Sequence, residues 1–441
     1  MNDLNFKLLN SGLDENSVVL EATACLNCPK PSCISGCPIQ NRIPEFIKAA
    51  KEKDFRLAFE IIKEKSMLPA LCGALCPHEK QCQGHCVKNK IGKPVKIGAI
   101  ERFIGEYALN HGFDIDNDIK LNGKRVLVVG SGPASLGASY YLARHGYKVT
   151  VIEKKNKLGG LLKYGIPSFR FDYGVLDKII NSLKEMGVEF KTNTAFLKDI
   201  TLEDAQRDYD AIFLGTGTDE ANRVNTPGVN LPGVVYANEF LKNINLIECD
   251  SNFQKDYAAC GEHVVVVGGG NVAMDAARVA LRLKQVKDVT IIYRRTENEM
   301  PAERIELEDA KGEGIKFLPL TNPIRYIGDD VLKEIECETM VLSDPDESGR
   351  RRPIPSNNPH FMVKADTVIL ALGYVNEKQI DEIETGKWNN IIVDDDSMTS
   401  INNVYAGGDN VTGSLTIVSA MKAGLTAAKA IVRKDEYGTK E

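Results

Sequence analysis

Cysteines crowd the N-terminal part of this chain. Eight of its 11 lie between Cys25 and Cys86, first as Cys25-x2-Cys28-x4-Cys33-x3-Cys37-Pro38, then as Cys72-x3-Cys76-Pro77 and Cys82-x3-Cys86. Short spacers let thiolates from one loop converge on a small inorganic group, and a following proline stiffens the exit. The spacings resemble a ferredoxin pattern, in which the cysteine before proline serves a second cluster, so iron–sulfur is favoured; zinc is the competing reading, because tetrahedral all-thiolate sites also use close cysteine pairs. The opening residues MNDLNFKLLN show no basic stretch leading into an apolar one. The expectation is a cytoplasmic chain whose thiols stay reduced, which disfavours disulfides. Cys249, Cys260 and Cys337 stand apart and are expected to be small buried residues.

Two glycine turns carry a second kind of chemistry. Val126–Val129 reads as a buried strand, followed by Gly130-Ser-Gly132-Pro-Ala-Ser135, a helix to about Gly146 and a strand ending at Glu153. Gly130 permits the sharp turn, and Gly132 lets the backbone approach a pyrophosphate at the helix N-terminus. Ser135 stands where a third glycine is usual. Glu153, about 20 residues beyond the turn, suits ribose hydroxyls and would repel a 2′-phosphate, which points to FAD or NAD. The pattern recurs as His263–Val267, Gly268-Gly-Gly270-Asn271-Val272-Ala273, a helix to Leu283 and Val289–Tyr293. There the ribose position holds Arg294 and Arg295 instead of an acid. Two guanidiniums suit the 2′-phosphate of NADPH; the alternative is a pair of solvated arginines.

Further signals follow these units. Gly215-Thr-Gly217 closes a short apolar strand, and Gly407-Gly408-Asp409 precedes a last helix beginning near Thr416. In a flavoenzyme such an acid can bond the ribityl chain, and the helix dipole can favour a reduced, anionic flavin. Hydride transfer requires no acid or base, which matches the lack of a His/Asp/Ser constellation. The six histidines are scattered, and His78 and His85, near the cysteines, are expected to be structural or tuning residues.

These residues need elements to hold them. Ile43–Ala50 and Phe55–Lys65 have helical apolar spacing, whereas from Lys124 onward strands and helices alternate. The fold class is therefore α/β, with an N-terminal α-helical domain followed by two Rossmann-like dinucleotide-binding domains. Arg350–Arg352, set among acids and Pro353, reads as a surface loop. With 441 residues the chain is long enough for two or three domains, and 55 basic against 61 acidic residues leave no basic field for nucleic acid. Its apolar runs are strand-sized, well short of the ~20 residues that span a bilayer.

Taken in order, the cysteine runs, Gly130–Ser135, Leu158-Gly-Gly160 with Tyr164-Gly-Ile-Pro167, Gly268–Asp275, Tyr293-Arg-Arg295 with Glu299-Met-Pro-Ala302, and Ala406–Asp409 resemble one family: the small (beta) subunit of bacterial NADPH-dependent glutamate synthase. The chain is similar also to the N-terminal half of dihydropyrimidine dehydrogenase and to the large subunit of NADH-dependent ferredoxin–NADP oxidoreductase. The resemblance implies a helical domain over 1–120 with two 4Fe–4S clusters, an FAD domain over 121–218 and 376–441, and an NAD(P)H domain over 219–375 inserted in it. It implies that Cys25, Cys28, Cys33 and Cys86 hold one cluster, and that Cys37, Cys76 and Cys82 hold the other with Glu101 as fourth ligand, although Cys72 competes. Gly160 would join Gly130, Gly132, Ser135, Glu153, Gly215, Gly217, Gly408, Asp409 and Thr416 around FAD. Gly268, Gly270, Asn271, Val272, Arg294 and Arg295 would hold NADPH or NADH. The implied activity takes hydride onto FAD and passes single electrons through the clusters to a separate catalytic subunit, in a hetero-oligomer. The alternatives are a ferredoxin-linked transhydrogenase component and a non-redox zinc-bearing assembly protein.

Overall fold

The computed structural model describes residues 6–9, 12–113, 115, 119–249, 260–345, 351–376 and 380–437. These fall into two compact units. One comprises Leu8–Lys163, Ser168–Asp219 and Val375 onward; the other comprises Tyr164–Pro167 and Glu220–Tyr374, with Phe6 and Lys7.

The first unit begins with helices: α1 (Glu15–Thr23), α2 (Ser32–Ser35), α3 (Ile43–Lys51), α4 (Phe55–Lys63), α5 (Pro69–Leu75) and α6 (Ile97–His111). Their starts are locally encoded. The carboxylates of Asp14 and Asp54 accept from the amides of Ser17 and Leu57 at 2.7 and 2.9 Å, and α5 opens on Pro69, whose missing N–H costs nothing there. The apolar stripes of α3 and α4 close on one core through Phe46, Ile47, Phe59 and Ile62, joined by Ile97, Ile100 and Ile104 of α6.

A parallel sheet follows: β1 (Arg125–Val129), α7 (Pro133–Arg144), β2 (Lys148–Ile152), α8 (Leu161–Tyr164), α9 (Tyr173–Glu185), β3 (Glu189–Lys191), α10 (Leu202–Asp208) and β4 (Ala211–Leu214). β1 is flanked by β2 and β4 in register Val126↔Val149 and Val126↔Ala211. Val126–Val129 is a continuous apolar run because both faces of this strand are covered.

The second unit repeats the pattern. After β5 (Glu220–Ala221) come β6 (Val234–Tyr236), α11 (Ala237–Cys249), β7 (His263–Val267), α12 (Asn271–Leu281), β8 (Asp288–Tyr293), α13 (Arg304–Gly312) and β9 (Lys316–Pro319). An antiparallel layer intervenes: β10 (Thr321–Gly328), β11 (Leu332–Pro345), β12 (Arg351–Pro355) and β13 (Phe361–Lys364), before β14 (Thr367–Leu370) completes the parallel sheet in the order β6-β14-β7-β8-β9. Arg351 and Arg352 thus open a strand paired with β11, correcting the surface-loop expectation; Arg350 lies outside the described residues. The chain passes through β15 (Tyr374–Val375), after which β16 (Val404–Ala406), α14 (Asp409–Thr412) and α15 (Ile417–Tyr437) return to the first unit, whose sheet runs β16-β4-β1-β2-β3. No helix among the described residues is long and apolar enough to cross a membrane.

Within the first unit the helical layer is fastened to the sheet layer at several points. Buried Lys63 donates to the Met67 carbonyl at 3.0 Å and places its ammonium 3.2 Å from the Tyr140 ring centroid on α7. Lys422 of α15 donates to the Pro38 carbonyl at 3.0 Å.

Candidate functional site

The cysteines separate into two groups. Cys25, Cys28, Cys33 and Cys86 line one pocket together with Leu26, Pro31, Val87, Lys88, Val95 and Ile97. Burial raises Cys33 to about 11, and the charges of Cys25 and Cys86 add to the shift. Cys37, Cys72, Cys76, Cys82 and Glu101 form the second group. Cys37 is raised by burial and then by Glu101, while Cys76 is raised first by its hydrogen bond with Cys72 and then by burial. Burial pushes Cys82 up as well, with Glu101 and Cys37 adding to it.

Thiols held this far up the scale become ligands only if a cation offsets the charge they would otherwise bury. The backbone suits such charge. Amide N–H groups face the sulfurs of Cys25 (from Asn27), Cys33 (from Ile34), Cys37 (from Asn41 and Ile39) and Cys82 (from Gln83), as expected where sulfur must carry negative charge. Glu101 is 8 % exposed. Burial alone raises its pKa to about 8, and among the described residues it has no hydrogen-bond or ion-pair partner. A buried carboxylate without a cation is costly, and iron would relieve that cost. Cys72 differs: its sulfur accepts from Ser66 Oγ at 3.7 Å. Among the described residues no three His, Cys, Asp or Glu side chains converge in the manner of a single-ion site, so the fit to clusters rests on the donor set and its amides.

The neighbouring histidines, expected to be structural or tuning residues, sit in different surroundings. Burial holds His78 neutral, at about 4, and its ring packs where a Cβ on Gly98 of α6 would collide at 2.3 Å. His85 is exposed and bonds the Gln81 carbonyl through Nδ1 at 2.7 Å. Cys260 and Cys337 are buried, as their isolation in the sequence suggested.

The first glycine turn joins β1 to α7. Gly130 has φ +91°, and a Cβ there would lie 2.6 Å from the Gly215 carbonyl oxygen, so the turn tolerates no side chain. Gly132 caps α7 and faces open space, with Gly160 packed against its Cα; Ser135 is buried against Gly215. Glu153 Oε2 accepts from Ser131 N at 3.1 Å and Ser131 Oγ at 2.5 Å, and Oε1 accepts from Lys155 N at 3.0 Å. Ser131 Oγ in turn accepts from Gly159 N at 3.0 Å. Ser131 therefore couples the ribose-position acid to the second glycine loop. Ser131 carries no role in the motif as read from sequence; a hydroxyl between two glycines with a downstream acid was the available signal.

The return segment faces the same turn. Gly408 has φ +94° and approaches the Ala134 side chain, leading into α14. Burial lifts Asp409 to about 6, although the Leu415 amide pulls the other way. Asn410 donates to the Leu214 carbonyl at 2.8 Å and to Thr216 Oγ1 at 3.2 Å, between Gly215 and Gly217, while its Oδ1 is buried without a partner. Thr416 caps α15, accepting from Ser419 N at 3.3 Å. An open glycine cradle, a bound acid at the ribose position and an unpartnered buried amide oxygen fit a dinucleotide such as FAD.

In the second unit, Gly268 and Gly270 bracket the turn into α12, which begins at Asn271 and Val272. Asn271 exchanges hydrogen bonds with Glu303, to its amide at 2.9 Å and its carboxylate at 3.2 Å. Arg294 is exposed at the end of β8, and among the described residues it has no hydrogen-bond or ion-pair partner. Arg295 is engaged, with Nε donating to the Arg351 carbonyl at 3.0 Å. The two arginines are thus not equivalent: one is available to an anion and the other already holds the fold.

Comparison with known proteins agrees with this geometry. Residues 2–113 match the family model for dihydropyrimidine dehydrogenase domain II, 4Fe-4S cluster, and residues 124–424 match that for pyridine nucleotide-disulphide oxidoreductase. The chain is 34 % identical to the glutamate synthase [NADPH] small chain of Escherichia coli, over 97 % of this chain and 94 % of that one. It is 35 % identical to the NADP(+)-dependent formate dehydrogenase subunit beta of Moorella thermoacetica, over 92 % of this chain but 60 % of the longer relative. The FprA oxidoreductase of Mycobacterium tuberculosis in complex with NADPH shares the fold at 20 % identity and TM-score 0.61, over 72 % of this chain and 87 % of that one. The chain belongs to the glutamate synthase small-chain family of pyridine nucleotide-disulphide oxidoreductases and is an FAD- and iron–sulfur-dependent NAD(P)H oxidoreductase.

Proposed function

We propose that this protein is an electron-input subunit: it takes electron pairs from NADPH and delivers them singly, through two 4Fe–4S clusters, to a separate catalytic subunit. When bound, FAD accepts a hydride and releases single electrons, and the clusters carry those electrons onward. Residues 219–375 bind the nicotinamide coenzyme, with Gly268, Gly270, Asn271 and Val272 at its pyrophosphate and Arg294 at its 2′-phosphate. Residues 121–218 and 376–441 bind FAD. Glu153 orients its ribose, the Gly130–Gly132 turn meets its pyrophosphate, and Asp409 and the Thr416 end of α15 meet the ribityl–flavin portion. Cys25, Cys28, Cys33 and Cys86 hold one cluster; Cys37, Cys76, Cys82 and Glu101 hold the other.

One observation carries the reading. Ser66 Oγ lies 3.7 Å from Cys72 Sγ and 3.9 Å from Met421 Sδ on α15, and Met421 packs on Gly137 of α7, the helix that starts at the FAD turn. One layer of side chains therefore lies between the second thiol group and the dinucleotide helix, which supports a direct path between them. That the partner is another chain is supported by relatives named as the small chain of glutamate synthase and the beta subunit of formate dehydrogenase. NADPH is supported by those names and by the unengaged Arg294.

Anaerobic addition of NADPH to the purified protein tests the proposal. Bleaching of flavin absorbance followed by paramagnetic signals from two reduced clusters is expected, with eight irons and acid-labile sulfide per chain. Zinc in place of iron, or no bleaching, would overturn it.

A further inference from the structure

The loop that follows β8, from Arg294 to Glu303, carries two arginines and three glutamates, an unfavourable balance for binding a phosphate. Each acid is engaged. Glu297 pairs with Lys311 at 2.8 Å, and Glu303 is bonded to Asn271. Glu299 is held on both oxygens: Oε2 accepts from the amide and hydroxyl of Thr296 in a capping box, and Oε1 accepts from the Arg351 guanidinium, with Nε at 3.0 Å and a second, shorter bond from Nη2. The phenol of Tyr293 donates to the Glu299 carbonyl at 2.9 Å, which folds Glu299 back toward the residue preceding Arg294. Arg351 comes from β12, 52 residues away in sequence, and its carbonyl also accepts from Arg295. One residue of the antiparallel layer thus neutralises an acid of the loop that carries Arg294 and fixes the other arginine.

We propose that Arg351 is a positioning residue for coenzyme choice: by engaging Glu299 and anchoring Arg295, it keeps the end of β8 net positive, so that Arg294 meets a nucleotide 2′-phosphate without a competing carboxylate. This rests on the reading of this unit as the NADPH site. Loss of Arg351 leaves Glu299 ionised, held only by Thr296, in the loop that carries Arg294, so its charge competes with a 2′-phosphate there. A nucleotide without the 2′-phosphate does not sense the change.

The test uses the FAD- and cluster-loaded protein. Titration calorimetry with 2′,5′-ADP and with 5′-AMP is combined with steady-state kinetics on NADPH and NADH, for Arg351→Ala, Arg351→Lys and the double variant Glu299→Gln/Arg351→Ala. Arg351→Ala is expected to weaken 2′,5′-ADP and raise the NADPH KM by about tenfold, the scale of one unscreened charge near a surface. Its kcat, its NADH KM and its 5′-AMP affinity should stay as in the parent. The double variant should recover most of the loss, because no carboxylate is freed, and Arg351→Lys should fall between. Equal weakening of both nucleotides, or no recovery in the double variant, reduces Arg351 to a fold-stabilising residue and overturns the inference. If the parent binds 2′,5′-ADP no better than 5′-AMP and Arg294→Ala changes neither, the coenzyme reading itself falls, and this inference with it.

Discussion

The ammonium of Lys422 donates 3.0 Å to the carbonyl oxygen of Pro38, which fastens α15 to the residue beside Cys37. This bond joins the helix proposed to close the FAD site to the loop that carries Cys37, a proposed cluster ligand. Lys422→Met removes the tie and keeps the aliphatic bulk. Bleaching of the flavin by NADPH in rapid mixing is expected to be unchanged, while appearance of the reduced-cluster signal slows; the stability loss should stay near 1 kcal/mol, because the bond is exposed. Equal slowing of both phases would remove the Pro38 contact from the electron path.

Glu101 and Cys72 are the two candidates for the fourth position of the proposed second cluster, and their surroundings differ. Glu101 is buried with only desolvation acting on it, whereas Cys72 is bonded to Ser66 and Cys76. A carboxylate is an adequate iron ligand, so Glu101→Ala should lose about half of the iron and one paramagnetic signal, and Cys72→Ser should retain both. The reverse pattern would assign the position to Cys72.

Glu153 accepts three hydrogen bonds from Ser131 and Lys155. Glu153→Ala leaves those donors unpaired in a buried turn, at a cost of about 2 kcal/mol or more. FAD retention after dialysis should fall by a factor of about 30 or more, and the thermal midpoint of the loaded protein should drop further than that of the apoprotein. Ser131→Ala should act in the same direction but more weakly, since Lys155 continues to orient the acid.

Much of this arrangement was legible in the sequence because it is local. The unbroken apolar runs Val126–Val129 and Val264–Val267, each ending in glycine, announce buried parallel strands and their turns, and both form as read. Helix ends shifted by less than a turn: α12, expected to reach Leu283, ends at Leu281. The antiparallel β10–β13 layer was not legible. β11 mixes buried Leu332, Ile335 and Cys337 with exposed charges, and its partner strands β12 and β13 are only 5 and 4 residues long. Contacts such as Glu299–Arg351 and Ser66–Met421 join residues far apart in sequence, so no spacing rule exposes them. The unequal state of Arg294 and Arg295 belongs to the same class.

Asp409 gives the apoprotein a distinctive pH response. Its folded-state value of about 6 lies above the ordinary 3.8, so the folded chain holds this proton more tightly than the unfolded chain does. The linked stability is therefore greatest below about pH 4, declines as pH rises through about 6 and is constant above that. Carboxylates such as Asp210 and Glu313, held low, act in the opposite sense and are common to parent and variant. The informative quantity is thus the parent minus Asp409→Asn difference in denaturant unfolding, which should change by roughly 2 kcal/mol between pH 4.5 and 7. A flat difference would mean that Asp409 is not desolvated.

The crossing of α7 and α15 decides whether the FAD turn keeps its shape, and two glycines there make opposite predictions. In a helix interior, Gly→Ala ordinarily stabilises by about 1 kcal/mol. At Gly424 the added Cβ would lie 2.0 Å from the Ala134 carbonyl oxygen, a backbone atom in the first turn of α7 that cannot move without displacing Gly132. At Gly137 the nearest atom, at 2.9 Å, is Cγ of Met421, a flexible side chain that can yield. Gly424→Ala should therefore destabilise the protein by about 2 kcal/mol or more and weaken FAD retention, because overpacking is relieved only by moving the nucleotide turn. Gly137→Ala should cost less than about 1 kcal/mol and keep the flavin, since rotation of Met421 absorbs most of the strain against the gain in helix propensity. Thermal midpoints and flavin content of the two variants, compared side by side, separate a rigid backbone contact from an adaptable one; similar losses in both would mean that Met421 is as constrained as the Ala134 carbonyl.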